Sequence, residues 1–204
     1  MIESLISFSI ATLFLALSPG PDNLYVITQS LANGTKSGIA TTIGLISGCV
    51  VHTTLLAFGV SAIIVASGTF FYGLKLIGAC YLLFLAYKVY RSNAHIDLKN
   101  KVSKKTYLQL FKQGVIMNLM NPKVLIFFLA FFPGFLWDEF QNTIYQFFVL
   151  GIVFMTISFV VFSSLAILAG YISAALNENK NISILLKWIQ VIVFIAIAVF
   201  ILIP

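Results

Sequence analysis

From Ser37 to Leu74 the chain carries no Asp, Glu, Lys or Arg, and the same holds from Phe140 to Asn177. A hydrocarbon core roughly 30 Å thick is crossed by about 20 helical residues, so each run is long enough to span it. The remaining charges fall where further spans would end. Only Asp22 interrupts Ser4 to Thr35, only Lys123 interrupts Gln113 to Trp137, and both Leu76 to Tyr87 and Trp188 to Pro204 are clean. The pattern predicts an all-α polytopic membrane protein. Six transmembrane helices are expected near residues 4–32, 38–66, 69–90, 107–136, 143–175 and 184–203, the third being the shortest. The whole chain, 1–204, then forms a single transmembrane domain with the lipid bilayer as its surroundings.

Charge gives the orientation. Twelve Lys and Arg against six Asp and Glu leave a formal charge of +6, and charged residues are only 9% of the chain, against about 25% in soluble domains. The excess is gathered in one segment, Lys88 to Lys112, with Arg91, Lys99, Lys101, Lys104 and Lys105. So thin and local a charge does not make a nucleic-acid face, but basic loops favour the cytoplasmic side of a membrane. Counting crossings outward from it, Lys36 and the Lys180 to Lys187 turn also fall inside. Glu3, the Asp138-Glu139 turn and Pro204 fall outside, so both termini are expected outside. Because Met1-Ile2-Glu3 is acidic where a cleaved signal carries positive charge, the first run is expected to be a retained helix.

The basic loop, residues 91–106, divides the chain into two sets of three spans, 1–90 and 107–204. A shift of 103 residues carries Pro19 onto Pro122, Gly48 onto Gly151 and one uncharged run onto the other. Three spans per half require opposite insertion, so the expectation is a 3+3 inverted repeat. Transporters of this design bind substrate near the midplane, where the repeats meet.

Ser18-Pro19-Gly20-Pro21-Asp22 would ordinarily mark a loop. Yet the run before it, Ser4 to Leu17, reaches only about 21 Å at 1.5 Å per residue, so crossing needs Asn23 to Leu31 as well. The prolines therefore lie inside the membrane, where each removes a backbone donor and breaks the helix. Asn121-Pro122-Lys123 does the same to the fourth span. Each restart is expected to begin with a cap, Ser18 or Asn121, followed by proline at the first helical position. Bare amide ends at mid-membrane are tolerated only where they line a cavity or are buried in protein, and their partial positive charge suits a carboxylate. Asp22 and Lys123 are the acid and the lysine deepest within any span. Burying either costs at least about 2.5–3.5 kcal/mol. They are the candidate ligands of a zwitterion's ammonium and carboxylate, with Asp22 also a candidate proton carrier.

His52, within the second span, is a further proton-coupling candidate. Ala40, Gly44 and Gly48 form a small-residue stripe for helix packing, which would permit a homodimer. Tyr25, Tyr81 and Asn118 could add polar groups to the cavity. His52 and His95 are too few for a hydrolytic metal site. Cys49 and Cys80 lie in apolar runs and provide neither a disulfide framework nor a metal cluster. No GxxxxGK[ST] phosphate loop occurs, so no nucleotide engine and no cofactor is expected.

These residues resemble the LysE/RhtB family of amino-acid exporters. Ser18 to Asp22 resembles its first-helix signature, and Phe111 to Phe135, FKQGVIMNLMNPKVLIFFLAFFPGF, its fourth-helix signature. Gly78 to Arg91, GACYLLFLAYKVYR, is similar to its third-span pattern, with Ala86 where glycine is usual. Gly44 and Gly48 also match. The resemblance implies proton-driven export of amino acids or related metabolites across the bacterial inner membrane. It points to Ser18, Pro19, Gly20, Pro21, Asp22, Asn121, Pro122 and Lys123 as the substrate-binding set. A passive channel, or efflux of another small solute, is the alternative; a membrane-embedded enzyme fits least.

Overall fold

A computed structural model of the chain describes residues 1–18, 20–61, 68–92, 104–138, 141–172 and 180–202. Pro19, His95, Lys99, Lys101, Glu139 and Pro204 lie outside the described residues. Among those described, every regular element is helical. In chain order these are α1 (Ile2–Leu17), α2 (Pro21–Asn33), α3 (Thr35–Val60), α4 (Gly68–Arg91), α5 (Tyr107–Leu119), α6 (Pro122–Phe135), α7 (Thr143–Ile167) and α8 (Lys180–Leu202).

Most of the expected spans appear within a few residues of their predicted limits. Spans one and four are bent pairs, as the prolines require: α1 and α2 meet at 57°, α5 and α6 at 51°. The 24 residues of α4 make about 36 Å of helix, so the shortest expected span is also long enough to cross. The fifth stops earlier than expected. α7 ends at Ile167, with Leu168 at its C-cap, and helix resumes only at Ala169–Ile172.

Local sequence explains the ends. Gly34, at φ 87°, turns the chain between α2 and α3, a conformation that costs glycine no Cβ clash. Thr106 and Gln109 form a reciprocal capping box at the start of α5, at 3.2 and 2.9 Å. Before α7, the buried amide of Gln146 takes the backbone N–H groups of Trp137 and Asp138 and donates to the carbonyls of Asp138 and Gln141.

α3 is the central helix, packed against α2, α5 and α7, while α1 lies on α7 and α4 pairs with α8. Close approach of α3 and α5 depends on glycine in both. A Cβ on Gly44 would strike the Phe111 carbonyl, and one on Gly114 the Thr41 carbonyl. Both α3 and α6 contain a widened π-helical turn, at Leu56–Val60 and Phe127–Phe131. In α6 that turn helps gather phenylalanines. Phe127, Phe128, Phe131, Phe132 and Phe135 meet Phe8 of α1, Phe154 of α7 and Phe200 of α8, with centroids 4.8–6.2 Å apart. This aromatic plug fills the half of the bundle toward Glu3 and Asp138. The opposite end holds Lys36, Lys88, Arg91, Lys105 and Lys187. There Lys187 Nζ donates to the Ser92 carbonyl at 2.8 Å, joining the start of α8 to the end of α4.

Candidate functional site

The two helix breaks meet. At the first, Ser18 is the C-cap of α1 rather than the N-cap of α2. Its φ and ψ are −63° and 117°, and its N–H still bonds to the carbonyls of Phe14 and Leu15. Gly20 is the N-cap of α2, in extended conformation, and Pro21 is the first helical residue. This corrects the expected register. With prolines at both 19 and 21, either could open the helix, and the chain uses the second. Asn23 then reaches back across the break, its Nδ2 donating 2.7 Å to the Ala16 carbonyl. That carbonyl is among those left open where α1 ends. At the second break Asn121 is the cap: its Oδ1 accepts from the Lys123 N–H at 3.0 Å, with Pro122 at the first helical position.

Asn121 has a second bond. Its Nδ2 donates to Asp22 Oδ2 at 2.8 Å, so one side chain caps α6 and holds the carboxylate that begins α2. Asp22 is only 8% exposed. A buried carboxylate needs charge or donors around it. It has the Asn121 amide, the N-terminus of its own helix and the field of Lys123. Lys123 Nζ lies 5.1 Å above the Phe194 ring of α8, a favourable cation–π position. A Cβ on Gly20 would come within 3.5 Å of that ammonium, so the bare backbone of the first break forms part of the lysine's surroundings.

Asp22 and Lys123 line one cavity of about 40 Å³ with Asn23, Cys49, Asn118 and Ser158, closed by apolar groups including Leu15, Ile46, Phe154 and Phe162. Such a volume admits water and is smaller than an amino acid. A groove of about 490 Å³ between α1, α6 and α8, apolar apart from Ser7, contains none of the predicted residues.

Of the residues named from sequence, Asp22 and Lys123 line the cavity and Asn121 joins the two breaks. Ser18, Gly20, Pro21 and Pro122 shape the backbone without lining it, and Pro19 is outside the described residues. His52 stands one layer away. Its Nε2 is 3.3 Å from the Asn118 carbonyl; a carbonyl only accepts, so Nε2 carries the proton, and buried Nδ1 has no partner among the described residues. Asn118 is a cavity residue, donating to Cys49 Sγ at 3.4 Å. Tyr81 is not: its ring lies near Phe84 on α4. Tyr25 is not either, its hydroxyl accepting from Lys105 Nζ at 3.5 Å. A Cβ on Gly48 would meet the Asn118 side chain at 2.6 Å, so this stripe is occupied by α5 of the same chain. Asn23, Cys49 and Ser158 were missed by sequence reasoning. Asn23 had a readable signal, an amide beside the double proline where free carbonyls need donors. The other two depended on which helix face turns inward.

The model of the LysE type translocator family matches residues 13–204. The chain belongs to this family. It is therefore a multi-pass membrane protein of a transporter family, not of an enzyme family. Similar proteins include the homoserine/homoserine lactone efflux proteins of Salmonella typhimurium strain LT2 and Salmonella typhi. Each is 30% identical over 181 residues, covering 89% of this chain and 87% of the relative. An uncharacterized membrane protein of Vibrio cholerae is 30% identical over 165 residues, 81% of this chain and 80% of its own. No solved structure gives a significant match.

Proposed function

We propose that this translocator is a secondary exporter of amino acids or related small metabolites, working by alternating access and coupled to the proton gradient. The observation that carries the reading is the convergence of Asp22 and Lys123, from two helix restarts, on one buried cavity. In an α-amino acid the ammonium would pair with Asp22. The carboxylate would pair with Lys123 and the open amide end of α6. With one acid and one base used by the zwitterion, no charge remains for a charged side chain, which favours small neutral amino acids. Efflux of homoserine and its lactone, named for two relatives, is consistent with cargo of that size.

Asp22 also offers the coupling step. A carboxylate that takes up a proton loses its hold on an ammonium, so protonation and substrate would exclude one another. His52 is the second candidate, through its Nδ1, which has no partner among the described residues. The two halves, 1–90 and 107–204 about the basic loop 91–106, would rock as an inverted repeat. In support, each half opens with a bent pair, α3 packs on α7, and α4 packs on α8. The gathered lysines orient that end to the cytoplasm of a bacterial inner membrane, with both termini outside.

The test compares Asp22→Asn and Lys123→Ala with the parent for efflux from amino-acid-loaded cells, at equal membrane abundance. Each substitution should lower efflux at least about tenfold, as expected where a charged partner is lost. Parental rates in both would end the assignment. Counterflow that depends on a gradient in vesicles separates an exporter from a passive channel.

A further inference from the structure

The cavity wall contributed by α7 has one polar interruption. Phe154, Ser158 and Phe162 follow at intervals of four, so they stack on one face of the helix, and all three line the cavity. Ser158 is 2% exposed. Two other hydroxyls of α7 turn back on their own helix, Thr156 donating to the Ile152 carbonyl and Ser164 to that of Val160, both at 2.8 Å; Thr143 donates to Ser61 Oγ at 2.9 Å, and Ser163 Oγ, outside the cavity lining, has no partner among the described residues. The Thr156 and Ser164 side chains are exposed, and in lipid they have nothing else to bond. Ser158 makes no side-chain hydrogen bond among the described residues. A buried hydroxyl left open toward a cavity has water or a ligand as its partner.

We propose that Ser158 is a specificity-determining residue, whose hydroxyl bonds a donor or acceptor on the short, uncharged side chain of the transported amino acid. This rests on the cavity being the transport site. There the zwitterion occupies Asp22 and Lys123, and Asn118 is engaged with Cys49. Asn118 keeps a free Oδ1, which only accepts, whereas Ser158 is the cavity's hydroxyl, able both to donate to and to accept from a side chain. Phe154 cannot easily yield space, because its ring is held against Phe127, Phe128 and Phe132 at 5.0–5.7 Å. Purely apolar walls distinguish a hydroxyl from an isosteric methyl poorly, whereas a paired hydroxyl distinguishes them well.

Threonine and valine are such isosteres. Cells carrying the full chain, loaded with each through dipeptides, should release threonine faster than valine. Ser158→Ala should lower the threonine-to-valine efflux ratio roughly tenfold, the worth of one hydrogen bond of about 1.4 kcal/mol, mainly through threonine. Ser158→Thr, which keeps the hydroxyl, should retain the preference. An unchanged ratio in Ser158→Ala, or equal loss of both substrates at unchanged membrane abundance, overturns the role of Ser158 and leaves the export reading intact. If the parent protein releases no amino acid, the export reading falls first and this inference with it.

Discussion

Asn121 donates through Nδ2 to Asp22 at 2.8 Å, joining residues 99 positions apart, while its Oδ1 caps the helix that begins with Pro122. The two breaks are thus one mechanical unit. Asn121→Ala removes both bonds, and losing the cap alone costs about 1 kcal/mol. Asn121→Asp keeps a capping oxygen but replaces the donor facing Asp22 with a second carboxylate. If the donor matters more than the cap, efflux per unit of membrane protein should fall further in Asn121→Asp than in Asn121→Ala. The reverse order would mean that Asn121 serves mainly as a cap.

Packing of α3 on α5 gives a prediction about stability. A Cβ on Gly44 would meet the Phe111 backbone, which cannot rotate away. Gly44→Ala should therefore force the helices apart, at a cost of about 1–3 kcal/mol for overpacking. Gly48→Ala meets the Asn118 side chain at 2.6–2.9 Å, whose amide can turn though its Cβ cannot, so it should cost less stability than the backbone clash and disturb the cavity more. Gly59 has nothing within 4 Å of its added Cβ and is the control. Thermal unfolding in detergent should rank the stabilities as Gly59→Ala near parent, then Gly48→Ala, then Gly44→Ala.

The spans and their breaks were legible because charge and proline act locally. A cluster of lysines marks the end of a crossing, and a proline inside a run breaks its helix, whatever packs beside them. Helix faces were hidden for a physical reason. A span with lipid on one side and protein on the other is apolar on both, so periodicity that would show the inward face of a soluble helix is largely lost. Cys49 and Ser158 could not be assigned for that reason, and Tyr81 looked as good a cavity residue as Asn118. The offset of one break, from Ser18 to Gly20, arose where two prolines two residues apart gave the same local signal.

The aromatic plug should hold the cavity closed toward the Glu3 end. Phe132 is fully buried and touches Phe8, Phe127, Phe128 and Phe154. Phe132→Ala leaves a void among rings that cannot all close it, costing about 3–5 kcal/mol in packing. In vesicles without a gradient, this variant should leak preloaded substrate faster than the parent. A leak no faster than that of the parent would show that the seal lies elsewhere.

Cys49 reports on opening. It lines the cavity and is 1% exposed, whereas Cys80 lies on the outer face of α4. A small membrane-permeant maleimide should label Cys49 slowly at rest and several-fold faster while substrate is moving, because the proposed alternating access would expose the site in turn to each side. Cys80 should label at one rate throughout and serves as the internal reference. Saturating substrate with no gradient should slow Cys49 again, since an occupied cavity excludes the reagent. Labelling of Cys49 that ignores both turnover and substrate would mean that the cavity between Asp22 and Lys123 never opens, and the transport path would have to run outside it.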